Sequence, residues 1–224
     1  MDQIKPKKTL AEETYDILVD AICNGDLLPG ERLTQDDLAA RLNVSRQPVN
    51  SAISILKSNR LVEDTGRRGV VVSELDPGLF GAIFEYRGAV EPFAVGLAAA
   101  RLPKDADRQA RAALAEGRSA LDSGRVRQLV DADAKFHEMI YRWSGNEVIL
   151  SSMRVNWHHI RRAMAEILRA PGGPEKSWAD HARIVGALLD GDAKGAQAAM
   201  SAHIRDATEK VLISTELRTP DDEP

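Results

Sequence analysis

Apolar residues recur every three or four positions along most of the chain, which is the spacing of amphipathic α-helices. The pattern is clearest in residues 33–56, where it predicts two short helices separated by a turn at Asn43 and Val44. Thr34 and Ser45 stand at the starts of these helices, and both are good N-caps. The second helix has one inward apolar stripe, which consists of Val49, Ala52, Ile53 and Leu56. The stretch therefore predicts a helix-turn-helix.

The outward face of the second helix is polar from its N-terminus onward. Hydrogen-bonding side chains in that position suit a helix that reads base edges in the major groove of DNA. The pattern alone also fits an ordinary helical hairpin with a solvated polar face. The residues predicted to contact DNA from this helix-turn-helix are Arg41, Ser45, Arg46, Gln47 and Asn50.

The flanking segments complete a winged helix-turn-helix. Residues 8–24 have the apolar stripe of a preceding amphipathic helix. Residues 61–65 and 69–73 have the character of two short strands on either side of a Gly-Arg-Arg turn, which predicts a β-hairpin. Arg67 and Arg68 at its tip would reach phosphates or the minor groove.

A domain boundary falls at residues 75–78, because the Pro-Gly pair ends extended structure and begins a new element. Beyond it the sequence is rich in alanine, leucine and arginine, without strand-like alternation. Its periodicity predicts six helices, at about 79–102, 105–123, 125–143, 146–170, 175–190 and 193–215. The predicted fold is mainly α, with an N-terminal winged helix-turn-helix domain and a C-terminal all-α antiparallel helix bundle. The predicted segments are a DNA-binding domain at 1–74, a linker at 75–78, a helical domain at 79–218 and a disordered tail at 219–224.

Charge and cysteine content narrow the possible partners. The formal net charge is −4, so the chain as a whole has no basic excess. Residues 41–68, however, contain six basic and two acidic residues, and this local excess suits contact with phosphates. The single cysteine, Cys23, cannot form an internal disulfide, and no apolar run reaches the roughly 18 residues of a membrane span. We therefore expect a cytoplasmic protein with no membrane partner.

Four residues of the helical part have the spacing of a metal site. Asp133 and His137 are four residues apart, so they project from one face of a single predicted helix. His181 and His203 are almost equally far from the turn at 191–192, so they are level in an antiparallel hairpin. One carboxylate and three imidazoles in a bundle core suit Zn, Ni, Fe(II) or Mn. Any single histidine is better explained as a surface or core residue, and spacing alone leaves both possibilities open.

Three segments of the N-terminal part carry a family resemblance: Asp26–Leu33, Asp37–Val49 and Gly69–Val72. Together they resemble the N-terminal signature of GntR-family bacterial transcription regulators. The resemblance implies that Arg46, Gln47 and the two wing arginines lie on operator DNA. Two positions depart from the family pattern: Asn50 stands where an arginine is usual, and Arg60 where a glycine commonly precedes the first wing strand. These departures put the family's usual operator sequence in doubt, while DNA binding itself stays the expectation.

The helical part is similar to the effector domain of FadR-type regulators, the FCD domain. The similar segments are Glu85–Glu91, Leu97–Arg101, Asp133–His137, Ser144–Asn146, His181 and Gly191–His203. The resemblance implies that the four residues of the predicted site bind a metal, since all four family positions are occupied. It also implies that Arg87 points into the same cavity, towards the carboxylate of an effector. The predicted number of helices, six rather than seven, resembles that of the shorter, VanR-like branch of these regulators.

Two functions from different classes fit these features. The leading one is a homodimeric, metabolite-responsive transcription regulator that binds a pseudo-palindromic operator in double-stranded DNA. Of the two kinds of regulator, we expect a repressor rather than an activator. Its helical domain would bind a divalent metal and a small organic acid, because a metal beside Arg87 forms a cationic pocket. The rival is a helical metal-dependent hydrolase or oxidase that carries a DNA-binding module. No further carboxylate is spaced to act as a general base, so we expect the acid to be bound without turnover.

Overall fold

The computed structural model describes residues 8–66, 69–167 and 173–216 of the 224-residue chain. The chain divides into two compact units, Met1–Leu75 and Asp76–Pro224. Both units are built mainly from helices in the part of the chain that the structure describes. No helix in those ranges is both long enough and apolar enough to cross a membrane.

The first unit has the winged helix-turn-helix architecture that the sequence predicts. Its elements in the described ranges are α1 (Leu10–Asn24), β1 (Arg32–Leu33), α2 (Gln35–Leu42), α3 (Arg46–Ser58), β2 (Val62–Asp64) and β3 (Val70–Val72). The strands form an antiparallel sheet in the order β1-β3-β2, in which Leu33 pairs with Val70. β1 was not predicted, because two residues are too few to show an alternating pattern. The hairpin tip, with Arg67 and Arg68, lies outside the described residues.

An apolar core beneath α3 holds the helix-turn-helix together. Val49 and Leu56 are fully buried in it, as the helical spacing predicts. Thr34 caps α2 as predicted, and its side chain accepts a hydrogen bond from the N–H group of Asp37 (3.2 Å). Ser45 is the N-cap residue of α3, as predicted, and has the extended backbone of that position, but its side chain makes no capping hydrogen bond within the described chain. Its hydroxyl is left on the exposed face of the unit.

The second unit is a helix bundle, and its described part contains the six predicted helices. They are α4 (Pro77–Ala100), α5 (Ala106–Ser123), α6 (Val126–Ser144), α7 (Glu147–Ile167), α8 (Gly173–Leu189) and α9 (Ala193–Glu216). α4 begins earlier than predicted, because Pro77 and Gly78, expected in the linker, form its first turn. The Asp76 side chain caps this turn by accepting from the N–H groups of Gly78 (2.9 Å) and Leu79 (3.2 Å). The predicted tail at 219–224 lies beyond the described residues.

Four helices of the bundle surround a polar region in its core. α4 packs against α6 and α9, and α8 packs against α9 across a turn at Gly191, whose φ of 77° suits glycine. The buried polar side chains between these helices include Arg87, Glu91, Asp133, His137, His181 and His203. Burying so many polar groups is costly unless they are paired or bind a ligand, so this region is the candidate functional site.

Candidate metal centre

Three helices bring the four predicted metal ligands to one point. α6 carries Asp133 and His137 one turn apart, α8 carries His181, and α9 carries His203. All four side chains are buried, and one ligand atom from each lies within 4.8 Å of the others. The four residues therefore form a single cluster, which we call the ligand cluster.

The ligand atoms surround a common centre. Nε2 of His181 lies 3.3 Å from Nε2 of His203 and 3.4 Å from Oδ1 of Asp133. Nε2 of His137 lies 4.0 Å from Oδ2 of Asp133, and neither of these buried atoms has a hydrogen-bond partner among the described residues. Unpaired buried polar atoms are costly, and a cation between them would remove that cost. The residues fit a divalent metal, and three nitrogens with one carboxylate suit Zn, Ni, Fe or Mn.

Two further carboxylates lie behind the histidines of the ligand cluster. Oε2 of Glu91 is 2.7 Å from Nδ1 of His137, and Oδ2 of Asp180 is 3.8 Å from Nδ1 of His203. At 2.7 Å, the Glu91 carboxylate favours a proton on Nδ1 of His137 and so leaves Nε2 of that ring as the ligand atom. Neither role was predicted from the sequence. The sequence offers only their positions as a clue: Glu91 is one helical turn beyond Arg87, and Asp180 directly precedes the predicted ligand His181.

Burial keeps two of the histidine ligands neutral. It lowers the pKa of His181 well below its ordinary value, and the neighbouring His203 and His137 act in the same direction. Burial also lowers the pKa of His203, although contact with Asp180 opposes that shift. Metals bind neutral imidazole, so both side chains are in the ligating form at neutral pH.

Aromatic side chains hold the ring of His181 in place. Phe136 stacks on it with ring centroids 3.9 Å apart, and Trp178 meets it edge-on at 4.7 Å. The indole ring of Trp178 lies directly against Gly117 of α5, where a Cβ atom would overlap it. Packing of this kind restricts a ligand to one rotamer and pre-forms the site.

Arg87 lies in the same buried region, and it already has a carboxylate partner. Its Nε donates to Oε1 of Glu91 (2.6 Å), and its guanidinium carbon lies 4.9 Å and 5.5 Å from the ring centres of Phe84 and Trp157. Burial by itself would raise the pKa of the Glu91 carboxyl. The neighbouring Arg87 and His137 lower this pKa by more, so it lies well below its ordinary value. Nη1 of Arg87 is buried without a hydrogen-bond partner in the described ranges. The two side chains are therefore an ion pair in which Nη1 of Arg87 has no partner among the described residues.

A small cavity adjoins the ligand cluster and Arg87. Its volume is about 20 Å³, which is close to what one ordered water molecule needs. Arg87, Asp133 and His203 line it from inside the bundle. Lys176 lines its outer side, where it forms an ion pair with Asp206. A cation at the ligand cluster and a compact anion in the cavity would thus be neighbours.

The candidate DNA-binding surface lies on the first unit. Nε of Arg46 forms an ion pair there with Oδ1 of Asp36 at the start of α2, and the Arg46 side chain is 70% exposed. Ion pairs between exposed side chains are weak, so the Arg46 side chain can leave Asp36 and contact DNA instead. This pairing with Asp36 was not predicted from the sequence. The predicted DNA-contact residues that the structure describes are all exposed: Arg41, Ser45, Arg46, Gln47 and Asn50.

Both units resemble known families. Residues 10–72 match the family of bacterial regulatory proteins, gntR family, and residues 82–206 match the FCD domain. An uncharacterised HTH-type transcriptional regulator in an unstable DNA locus of Streptomyces ambofaciens is 29% identical over 199 residues, which cover 88% of this chain and 83% of that protein. The transcriptional repressor RspR of Escherichia coli K12 is 24% identical over 216 residues, covering 93% and 92%. The E. coli McbR/YncC structure shares the fold, with a TM-score of 0.81 at 20% identity over 95% of this chain and 100% of that one.

Proposed function

Because the chain belongs to the GntR family of bacterial transcriptional regulators and contains an FCD domain, we propose that it is a homodimeric repressor controlled by a divalent metal and a small organic acid. The same assignment decides against the rival function, since the matched families and relatives are transcriptional regulators and not enzymes. RspR, a relative named as a repressor, supports the choice of repression. Such a protein acts in the cytoplasm, where bacterial operators lie.

The observation that carries this proposal is a buried ligand cluster beside a buried arginine. Asp133, His137, His181 and His203 would hold the metal through one oxygen and three nitrogens. When bound, a divalent metal supplies positive charge and open coordination positions for the oxygens of an acid. Nη1 of Arg87 would donate to the same carboxylate, since Arg87 lines the cavity and its Nη1 is buried without a hydrogen-bond partner in the described ranges. An acid held there regulates only if it favours one arrangement of the two DNA-binding units.

Operator affinity measured against acid concentration tests this function. Selecting and sequencing the DNA fragments that the purified, metal-loaded protein binds would supply the operator. Adding the cognate acid from a panel of small carboxylates should change operator affinity by about 5- to 150-fold, the usual range of allosteric coupling. Removing the metal with a chelator should abolish the response. Turnover of the acid would contradict the proposal. So would an operator affinity that does not change with either metal or acid.

A second copy of this chain is the partner that suits an exposed apolar face of the second unit. α4 presents Tyr86 and Phe93 two turns apart, and α7 presents Val148 and Val155 at the same interval. Oη of Tyr86 lies 2.8 Å from Oγ of Ser152, so the two helices form one surface. Exposed apolar patches mark protein contacts, and a two-fold operator requires two winged units. Sedimentation should give the mass of a dimer, and a monomer at micromolar concentration would contradict the assignment.

DNA contacts are assigned to the exposed polar surface of the helix-turn-helix and to the wing. α3 would enter the major groove from its N-terminal end, where Arg46 lies. The neighbouring positions would contact flanking bases and phosphates, and the wing would contact phosphates or the minor groove. These supporting residues are Arg41, Ser45, Gln47 and Asn50, together with Arg67 and Arg68 of the wing.

Arg46→Ala should weaken operator binding by about 1–3 kcal/mol and relax the base preference at one position of each half-site, because it removes a base-reading side chain. Fluorescence anisotropy with a set of operator variants measures both effects. Arg108→Ala is the matched control, since Arg108 is a 79% exposed arginine of the second unit. It removes the same charge and should leave the affinity unchanged. Equal binding by the wild type and Arg46→Ala across all operator variants would refute the assignment.

A further inference from the structure

Glu91 changes the charge of the cavity that would receive the acid. Its two carboxylate oxygens lie 2.6 Å from Nε of Arg87 and 2.7 Å from Nδ1 of His137, and the side chain is fully buried. The positive charge of Arg87 is therefore neutralised from within the chain. Arg87 lines the cavity, and its Nη1 is a donor without a hydrogen-bond partner among the described residues.

The charged residues that line the cavity balance one another. They are three cations and three anions: Arg87, Lys176 and Lys210, and Asp133, Asp180 and Asp206. Histidine side chains that bind a metal do so as neutral imidazole, so the histidines of the ligand cluster would add no charge. Glu91, directly behind Arg87, brings the net charge of the site to −1. A divalent cation at the ligand cluster would change this net charge to +1, which a ligand with a single negative charge neutralises.

We propose that the acid recognised by this site is a compact monocarboxylate, and that Glu91 is the residue that excludes acids with a second carboxylate. This inference rests on the proposed function, in which a metal and Arg87 hold an acid. A dicarboxylate would bring an uncompensated negative charge into a buried site, and such a charge is costly.

Short dicarboxylates and their monomethyl esters, from malonate to glutarate, are matched probes that differ by one charge at nearly the same size. Calorimetric titration of the metal-loaded wild type should show the monoester binding about tenfold or more tightly than the diacid, the scale of one uncompensated charge in a partly buried site. Glu91→Gln preserves the shape and an oxygen for Arg87 while removing the charge, so it should reverse this preference. Glu138→Gln is the control, because Glu138 accepts from Arg142 and Arg154 away from the cavity and its side chain is 33% exposed.

The outcomes separate this inference from the proposed function. Tighter binding of the diacid by the wild type would overturn the inference, and this comparison does not depend on how any variant folds. A Glu91→Gln variant with full metal content by elemental analysis and the wild-type preference would overturn it as well. Glu91→Asp keeps the charge and should keep that preference. If the protein holds metal but binds no small acid of either class, the organic-acid part of the proposed function fails, and this inference fails with it.

Discussion

The Arg87→Ala variant is expected to lose about 3–5 kcal/mol of its free energy of unfolding, because it leaves the Glu91 carboxylate buried without a counter-charge. The side chains of the pair are only 1% and 0% exposed, so water cannot replace the lost partner. Chemical denaturation of the metal-free protein at neutral pH measures the loss. Metal binding should also weaken, since Glu91 contacts Nδ1 of His137. Arg87 therefore supports the fold in addition to its proposed contact with the acid.

Two controls separate the buried charge from the lost side chain. The double variant Arg87→Met, Glu91→Met removes both charges and should recover most of the stability, because apolar replacement of a complete buried pair is often nearly neutral. Arg142→Ala breaks a pair with Glu138 whose side chains are 58% and 33% exposed, and should cost less than about 1 kcal/mol. A denaturation midpoint for Arg87→Ala as high as that of Arg142→Ala would rule out this role.

His181→Ala should lower metal affinity by on the order of 100-fold or more. Mutating a residue that only supports a metal ligand lowers affinity by about 10- to 100-fold, and removing a ligand itself should have a larger effect. Nε2 of His181 lies within 3.4 Å of two other ligand atoms, so its loss opens the centre of the ligand cluster. Calorimetric titration with Zn, Ni and Mn measures the affinity. Free metal at 100 times its dissociation constant stabilises the folded state by about 2.7 kcal/mol. A chelator should therefore lower the Tm of the wild type and leave that of the variant unchanged.

His158→Ala is the matched control for the metal prediction. His158 lies on α7 and is half-buried, but it is not part of the ligand cluster. The same substitution there should leave metal content and the chelator response intact. Stoichiometric metal in purified His181→Ala, or a wild type whose Tm ignores the chelator, would mean that the ligand cluster is a structural polar network.

Regular spacing made the helices predictable and grouped the four ligand residues into two pairs, while the joining of both pairs in one metal site was implied by the family resemblance. The periodic apolar stripes located all six helices of the bundle, because a helix must turn one face to the core whatever its neighbours are. Asp133 and His137 lie one turn apart on any helix, and the short turn at Gly191 sets His181 and His203 level. Neither inference needs knowledge of how distant parts of the chain pack.

The buried ion pair depends on tertiary packing and could not be predicted in the same way. Arg87 and Glu91 are four residues apart, but the exposed pair Glu138 and Arg142 has the same spacing. The difference is which face α4 turns towards α6 and α9. From the sequence, Arg87 was therefore expected to point towards the carboxylate of an effector, and its pairing with Glu91 was not predicted. β1 was missed for a related reason, since a two-residue strand exists only through its pairing with β3.

The contact between Gly117 and Trp178 has a consequence for genetics. A side chain at Gly117 would displace Trp178, whose ring borders His181, so the damage would reach the ligand cluster from a helix that contributes no ligand to it. Alleles with a substitution at this glycine would then share the phenotype of ligand alleles while every ligand codon stayed intact. Strain surveys that score regulators by their metal-binding residues alone would count such inactive alleles as functional.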